Sequence, residues 1–182
     1  MSGDHGEPIK DALSEAIDVW SRNVFEACRD WPLARDGCWF QTDGGYLRLR
    51  IEKIDGEALE PLSVIELETP EERIFVDLGS WATPISAYKK PPDWAAGDAV
   101  AEARHLVEGW LRGHIKLASY SDANGWRGSK VIEGLRLPEA IEPVPVEIGE
   151  DAEVIVKTFR RSGWRSWFRT PDRQWVEREV SR

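Results

Sequence analysis

The chain has 182 residues, of which 41% are hydrophobic and 31% charged, and it carries a formal net charge of −9. That length and balance suit a soluble globular domain with its own core, and exclude a disordered tail, a coiled coil or a disulfide-stapled mini-protein. No apolar leader follows Met1 and no apolar run reaches bilayer length, so the expected location is the cytoplasm, with no membrane partner.

Charge is spread unevenly. Val154 to Arg182 holds eight basic and three acidic side chains, a surplus of +5, whereas Met1 to Glu153 carries −14. An acidic body disfavours nucleic acid as a partner, and the basic tail is expected to be drawn to that body. Cys28 and Cys38 have no metal-type spacing and read as two reduced core thiols. Ten tryptophans stand out, because indole rings dominate both cores and binding surfaces.

In chain order, Ile9, Leu13, Ile17, Trp20, Val24, Cys28 and Trp31 recur at helical spacing. They predict one long amphipathic helix with Pro8 at its first position and Trp31-Pro32 at its end. Cys38 to Thr42 then reads as a strand, Asp43-Gly44-Gly45 as a hairpin turn, and Tyr46 to Glu52 as a return strand with Leu47, Leu49 and Ile51 inward. Ser63 to Glu68 and Arg73 to Leu78 alternate likewise. Between them Pro70 is expected at the second position of a turn. Arginines and glutamates on the outer face predict cross-strand ion pairs.

Gly79 to Pro92 reads as a loop or irregular edge strand. A second helix runs from an Asp93 cap to about Arg112, ending at Gly113. His114 to Ser121 and Trp126 to Glu133 form a hairpin about Asp122-Ala123-Asn124-Gly125. Residues 134–151 form a proline-containing connector, followed by strands at Val154 to Phe159, Trp164 to Arg169 and Gln174 to Val180. The expected architecture is a single α+β domain spanning 1–182. It has an antiparallel sheet packed by two helices on one face, with a C-terminal three-stranded meander.

Catalytic patterns are missing. His5, His105 and His114 do not form a metal-ligand set. No serine elbow or Cys/His pairing is evident, and Gly125-Trp126-Arg127-Gly128-Ser129-Lys130 lacks phosphate-loop spacing. No metal or cofactor is expected. The segment Trp164-Arg165-Ser166-Trp167-Phe168-Arg169 carries more information. On a strand it sets Trp167 between Arg165 and Arg169 on one side, with Trp164 on the other. Exposed, such a cluster suits a protein partner or, less readily, stacked bases. Covered by the same chain, it is core. Trp126 and Arg127 form a second Trp-Arg pair. Trp81, Tyr88 and Trp94 would line an aromatic cleft for a small molecule, or plug the end of the sheet.

From Ile74 to Glu133, the order of strand, Gly79-Ser80-Trp81, loop, alanine-rich helix, strand and Gly125-Trp126-Arg127-Gly128-Ser129 resembles small uncharacterised bacterial α+β proteins, some of them similar to immunity proteins of toxin systems. The resemblance implies a binding role. Residues Trp81-Ala82-Thr83-Pro84-Ile85 carry none of the histidines that accompany the glycine-tryptophan pair in such proteins. Two functions are therefore expected: a non-enzymatic protein-binding module, immunity or adaptor in type, acting through Trp164, Arg165, Trp167, Arg169, Trp126 and Arg127; or a small-molecule-binding domain or enzyme with an aromatic-lined cleft.

Overall fold

A computed structural model describes residues 9, 13, 15–79, 81–86, 94–134, 153–160, 163–169 and 175–179. The fold is α+β, arranged as two compact units, Met1–Val107 and Glu108–Arg182. Among the described residues no helix is long and apolar enough to cross a membrane.

In the first unit, helices α1 (Val19–Ala27) and α2 (Pro32–Asp36) precede a five-stranded antiparallel sheet in the order β1 (Cys38–Gln41), β2 (Leu47–Ile51), β5 (Ile65–Glu68), β6 (Arg73–Asp77), β7 (Ala82–Ser86). Between β2 and β5 lie a two-stranded ribbon, β3 (Lys53–Ile54) with β4 (Glu57–Ala58), and a short 3-10 turn at Pro61–Ser63. Alternation decides the faces. Leu47, Leu49, Ile51, Ile65, Leu67, Ile74 and Val76 are all buried. On the opposite face one row runs Phe40, Arg48, Glu68, Phe75, Pro84 across the strands. The expected ion pairs occupy it: Arg48 Nε donates to Glu68 Oε1 at 2.7 Å. Arg50 Nε lies 2.8 Å from Glu52 and 3.6 Å from Glu66, without the alignment of a hydrogen bond, so that contact is coulombic. Pro84 sits on the edge strand, where a missing N–H costs no ladder bond.

The first helix is much shorter than its spacing predicts. The Ile9 N–H donates to the Trp39 carbonyl at 2.8 Å, so the chain at that point runs beside β1 and is not coiled into a helix. Helix α1 begins only where Asp18 caps it, Oδ1 accepting the Ser21 N–H at 2.8 Å. It is over by Cys28. Trp31 is extended, as a residue before proline prefers, and Pro32 opens α2 instead of closing α1. Pro8 lies outside the described residues.

One buried chain of hydrogen bonds ties α1 to the sheet. The Leu47 N–H donates to Thr69 Oγ1 (3.0 Å), the Thr69 hydroxyl meets Ser21 Oγ (2.6 Å), and Ser21 Oγ donates to Asp18 Oδ2 (2.7 Å). With one proton per hydroxyl, the direction that satisfies every group runs from Leu47 to the carboxylate. Ser21 and Thr69 are fully buried.

Two turns differ from expectation. Pro70 is the first residue of its turn, not the second: the Arg73 N–H donates to the Pro70 carbonyl at 3.0 Å. Glu71 and Glu72 both take positive φ (51° and 57°), the pattern of a primed hairpin turn, because that twist matches the flanking strands. The β3–β4 ribbon was not anticipated. Its turn, Asp55-Gly56, has both residues at positive φ (52° and 80°), for which this dipeptide is the usual signature.

The boundary between the units falls within α3 (Ala96–Leu111). Ala96, Ala99, Val100, Ala103, Leu106, Val107 and Trp110 on α3 are buried; the Asp93 cap lies outside the described residues. In the second unit α3 ends as expected at Gly113, where φ is 72°. The Gly113 N–H bonds the Trp110 carbonyl and the His114 N–H the Gly109 carbonyl, a paired closure that requires the left-handed residue. Gly109 lets the next strand approach, since a Cβ there would stand 2.6 Å from Ile115 Cδ1. The second antiparallel sheet runs β12 (Trp175–Glu179), β11 (Gly163–Arg169), β10 (Glu153–Arg160), β8 (Ile115–Asp122), β9 (Gly125–Glu133). The C-terminal meander thus continues the β8–β9 hairpin through β10. Trp110 packs edge-on against Phe159 on one side of it. Ala118, Tyr120, Ile132, Val154 and Val156 form a buried cluster.

Two outcomes follow for stability. Thr69→Val strips the buried Leu47 N–H of its acceptor and should cost about 1–3 kcal/mol in urea unfolding. Ser21→Ala should cost less, because the Thr69 hydroxyl retains the Leu47 carbonyl, 3.2 Å away, as an acceptor. Equal losses would contradict the assigned direction. Replacing Glu71-Glu72 by Asn-Gly relieves two left-handed glutamates and should stabilise by about 1 kcal/mol, seen as a rise of roughly 2–4 °C in Tm.

Candidate functional site

The β8–β9 hairpin is short-range in sequence and exposed at its tip. Asp122 Oδ1 accepts the Asn124 N–H at 2.7 Å, closing the turn through a side chain. Pairing then slips. Tyr120 stands opposite Gly128 but Ser121 opposite Trp126, so Arg127 is an extra residue, a bulge. A bulge redirects the side chain it carries. Here Arg127 Nε reaches back to Asp122 Oδ2 at 2.6 Å. That hydrogen bond, foremost, holds the Asp122 carboxyl below its ordinary pKa; partial desolvation opposes it, and the Asn124 amide adds to it.

Trp126 is 70% exposed; among the described residues only Val19 is as open among the large apolar side chains. Its ring is nonetheless oriented. The indole N–H donates to Ser129 Oγ at 3.2 Å, and Ser129 Oγ meets Ser119 Oγ from the neighbouring strand at 3.1 Å. An indole held by its edge presents a flat apolar face with little rotamer freedom left to lose, which suits a binding anchor.

The other expected residues are dispersed. Trp164, Arg165, Trp167 and Arg169 lie on β11, an interior strand, where position 165 faces Thr158 and Glu179, and position 167 faces Val156 and Glu177. Their side chains lie outside the described residues, as does Tyr88. Trp94 stacks on Trp20 with ring centroids 6.1 Å apart, and the Trp20 indole donates to the Arg73 carbonyl. Trp81 is half-buried and its carbonyl accepts the Leu78 N–H. An open depression of about 600 Å³ lies at the β1–β2 turn, lined by Ala16, Gln41, Thr42, Asp43, Gly44 and Gly45, and contains none of these aromatics. Cys28 is buried and its thiol is pushed up to about 12 by that burial, so it stays protonated. Cys38, expected in the core, is exposed on the edge strand β1. Among the described residues no His, Cys, Asp or Glu cluster could hold a metal.

Sequence reading found Trp126 and Arg127 but not Asp122, Ser119 or Ser129 as their supports. The Asp-Ala-Asn-Gly turn pointed to Asp122; nothing marked the bulge. No protein family, no curated protein and no solved structure matches the chain.

The depressed Asp122 pKa fixes the sign of a pH effect. The ion pair with Arg127 contributes above the carboxyl's unfolded pKa, near 4, and fades as pH falls through the lower folded value. The Trp126 and Arg127 Nε–H resonances should therefore hold constant from pH 7 to about 4 and move below it. Asp122→Asn should abolish that titration; its persistence would assign it to another group.

Proposed function

We propose that the chain is a non-enzymatic protein-binding module, immunity or adaptor in type, that docks through the tip of the β8–β9 hairpin. The observation that carries this reading is the Trp126 ring, exposed over 70% of its surface while its polar edge is satisfied within the protein. Leaving an indole in water forgoes about 1.5–3 kcal/mol of burial, and a partner surface recovers it. Arg127 supplies the residue type that accompanies tryptophan at interface hot spots. The expected anchor on β11 remains part of the proposal, as a second Trp-Arg group on the same sheet.

Affinity capture from the source lysate should recover a stoichiometric protein. Trp126→Ala should weaken its binding at least tenfold by titration, a loss of about 1.4 kcal/mol or more. Val19→Ala, which removes the comparably exposed side chain on α1, serves as the control and should leave affinity unchanged. Full affinity in Trp126→Ala would refute the assignment.

A further inference from the structure

Among the described residues, strand β9 is the last strand on its side of the second sheet, nine residues long. The Gly134 N–H donates to the His114 carbonyl at 2.8 Å. Because hydrogen-bonded and non-bonded pairs alternate in an antiparallel ladder, that contact sets the parity for the register 116/132, 118/130 and 120/128. Lys130 and Ile132 then turn their backbone groups toward β8, and Ser129 and Val131 turn theirs toward the open edge. Gly128, Ser129 and Val131 are half-buried, and Lys130 is exposed. Lys130 has no ion pair among the described residues. The bulge at Arg127 ends the regular edge on the hairpin side, leaving Gly128 to Glu133 as its usable length.

Resting on the proposed binding role, we infer that the partner docks by adding an extended segment to β9, with acidic side chains beside Lys130 and apolar ones beside Trp126. An open edge with outward donors and acceptors is satisfied by another strand, and side-chain neighbours set which strand. Trp126 pairs with Ser121, and its indole bonds Ser129, so it shares a face with Ser119 and Ser129. Lys130 pairs with Ala118 on the other face. An added strand therefore meets an apolar ring on one side and an ammonium on the other, which calls for alternating apolar and acidic residues. A second copy of the chain fits less well. Pairing centred on Lys130 would oppose two ammonium groups. The unit itself, with thirteen basic and twelve acidic residues, does not repel an acidic segment.

The test titrates the full chain with a capped eight-residue peptide of alternating valine and glutamate, following backbone amides by NMR. Ser129 and Val131 should shift saturably, and a valine–lysine peptide should bind at least tenfold more weakly. Val131→Pro removes one outward N–H but no bond to β8. It should abolish the shifts while the circular dichroism is retained. Lys130→Glu, which leaves the backbone intact, should reverse the preference toward the lysine peptide. If Trp126 shifts while Ser129 and Val131 stay still, strand addition is wrong and the anchor stands. No response to either peptide, or no reversal in Lys130→Glu, overturns the inference. So does a wild-type dimer in sedimentation that Val131→Pro dissolves, since the occupant is then a second copy.

Discussion

The first unit depends on a buried, directional chain of hydrogen bonds within a largely apolar core. Apolar burial presses α1 against the sheet, but area alone does not set where along the strands a helix comes to rest. The chain from the Leu47 amide through Thr69 and Ser21 to Asp18 does set it. Each hydroxyl both donates and accepts, and the terminal carboxylate also caps the helix. The same residue thus starts α1 and anchors it. A further bond, from the Asp18 N–H to the Gly45 carbonyl, ties that point to the β1–β2 turn. Moving the helix by one residue would leave buried polar groups unpaired, a larger penalty than any local gain in packing.

The second unit distributes its polar groups differently. Its interior takes an apolar cluster and a lysine, Lys116, whose amine donates to the Gly134 carbonyl and whose pKa is lowered by burial. At the hairpin tip the reverse holds: the apolar group is outside, and serine hydroxyls hold it in place. Folding ordinarily removes a tryptophan from water. Here it orients one in water, and that inversion distinguishes the tip from the rest of the described surface.

Strands were legible because a period of two survives any rearrangement of neighbours. Leu47, Leu49 and Ile51, then Ile65 and Leu67, alternate and are buried as read. The first helix was overextended for the complementary reason. Ile17, Val24, Cys28 and Trp31 are all buried, so their spacing was a true record of the core, yet an extended or turning chain can deliver the same residues inward. Ile9 is claimed by β1 through its backbone, and backbone claims leave no trace in side-chain pattern. The Glu71-Glu72 turn was misassigned because strand twist overrode the preference of proline for the second position. Asp55-Gly56 carries a hairpin signal, but its flanking strands are only two residues long and too short to show alternation.

By itself, the sequence determined the α+β class, nine of the twelve described strands, the end of the second helix at Gly113, and the pairing of Trp126 with Arg127 as neighbours of interest. These are local: they follow from alternation, from glycine's tolerance of positive φ, and from residue chemistry. Tertiary structure alone decided that Trp126 stays in solvent, that Arg127 is a bulge turned onto Asp122, that Cys38 is exposed, and that the C-terminal meander extends the β8–β9 hairpin. Those outcomes depend on which strand pairs with which and in what register, and residues distant in the chain settle that only once they meet.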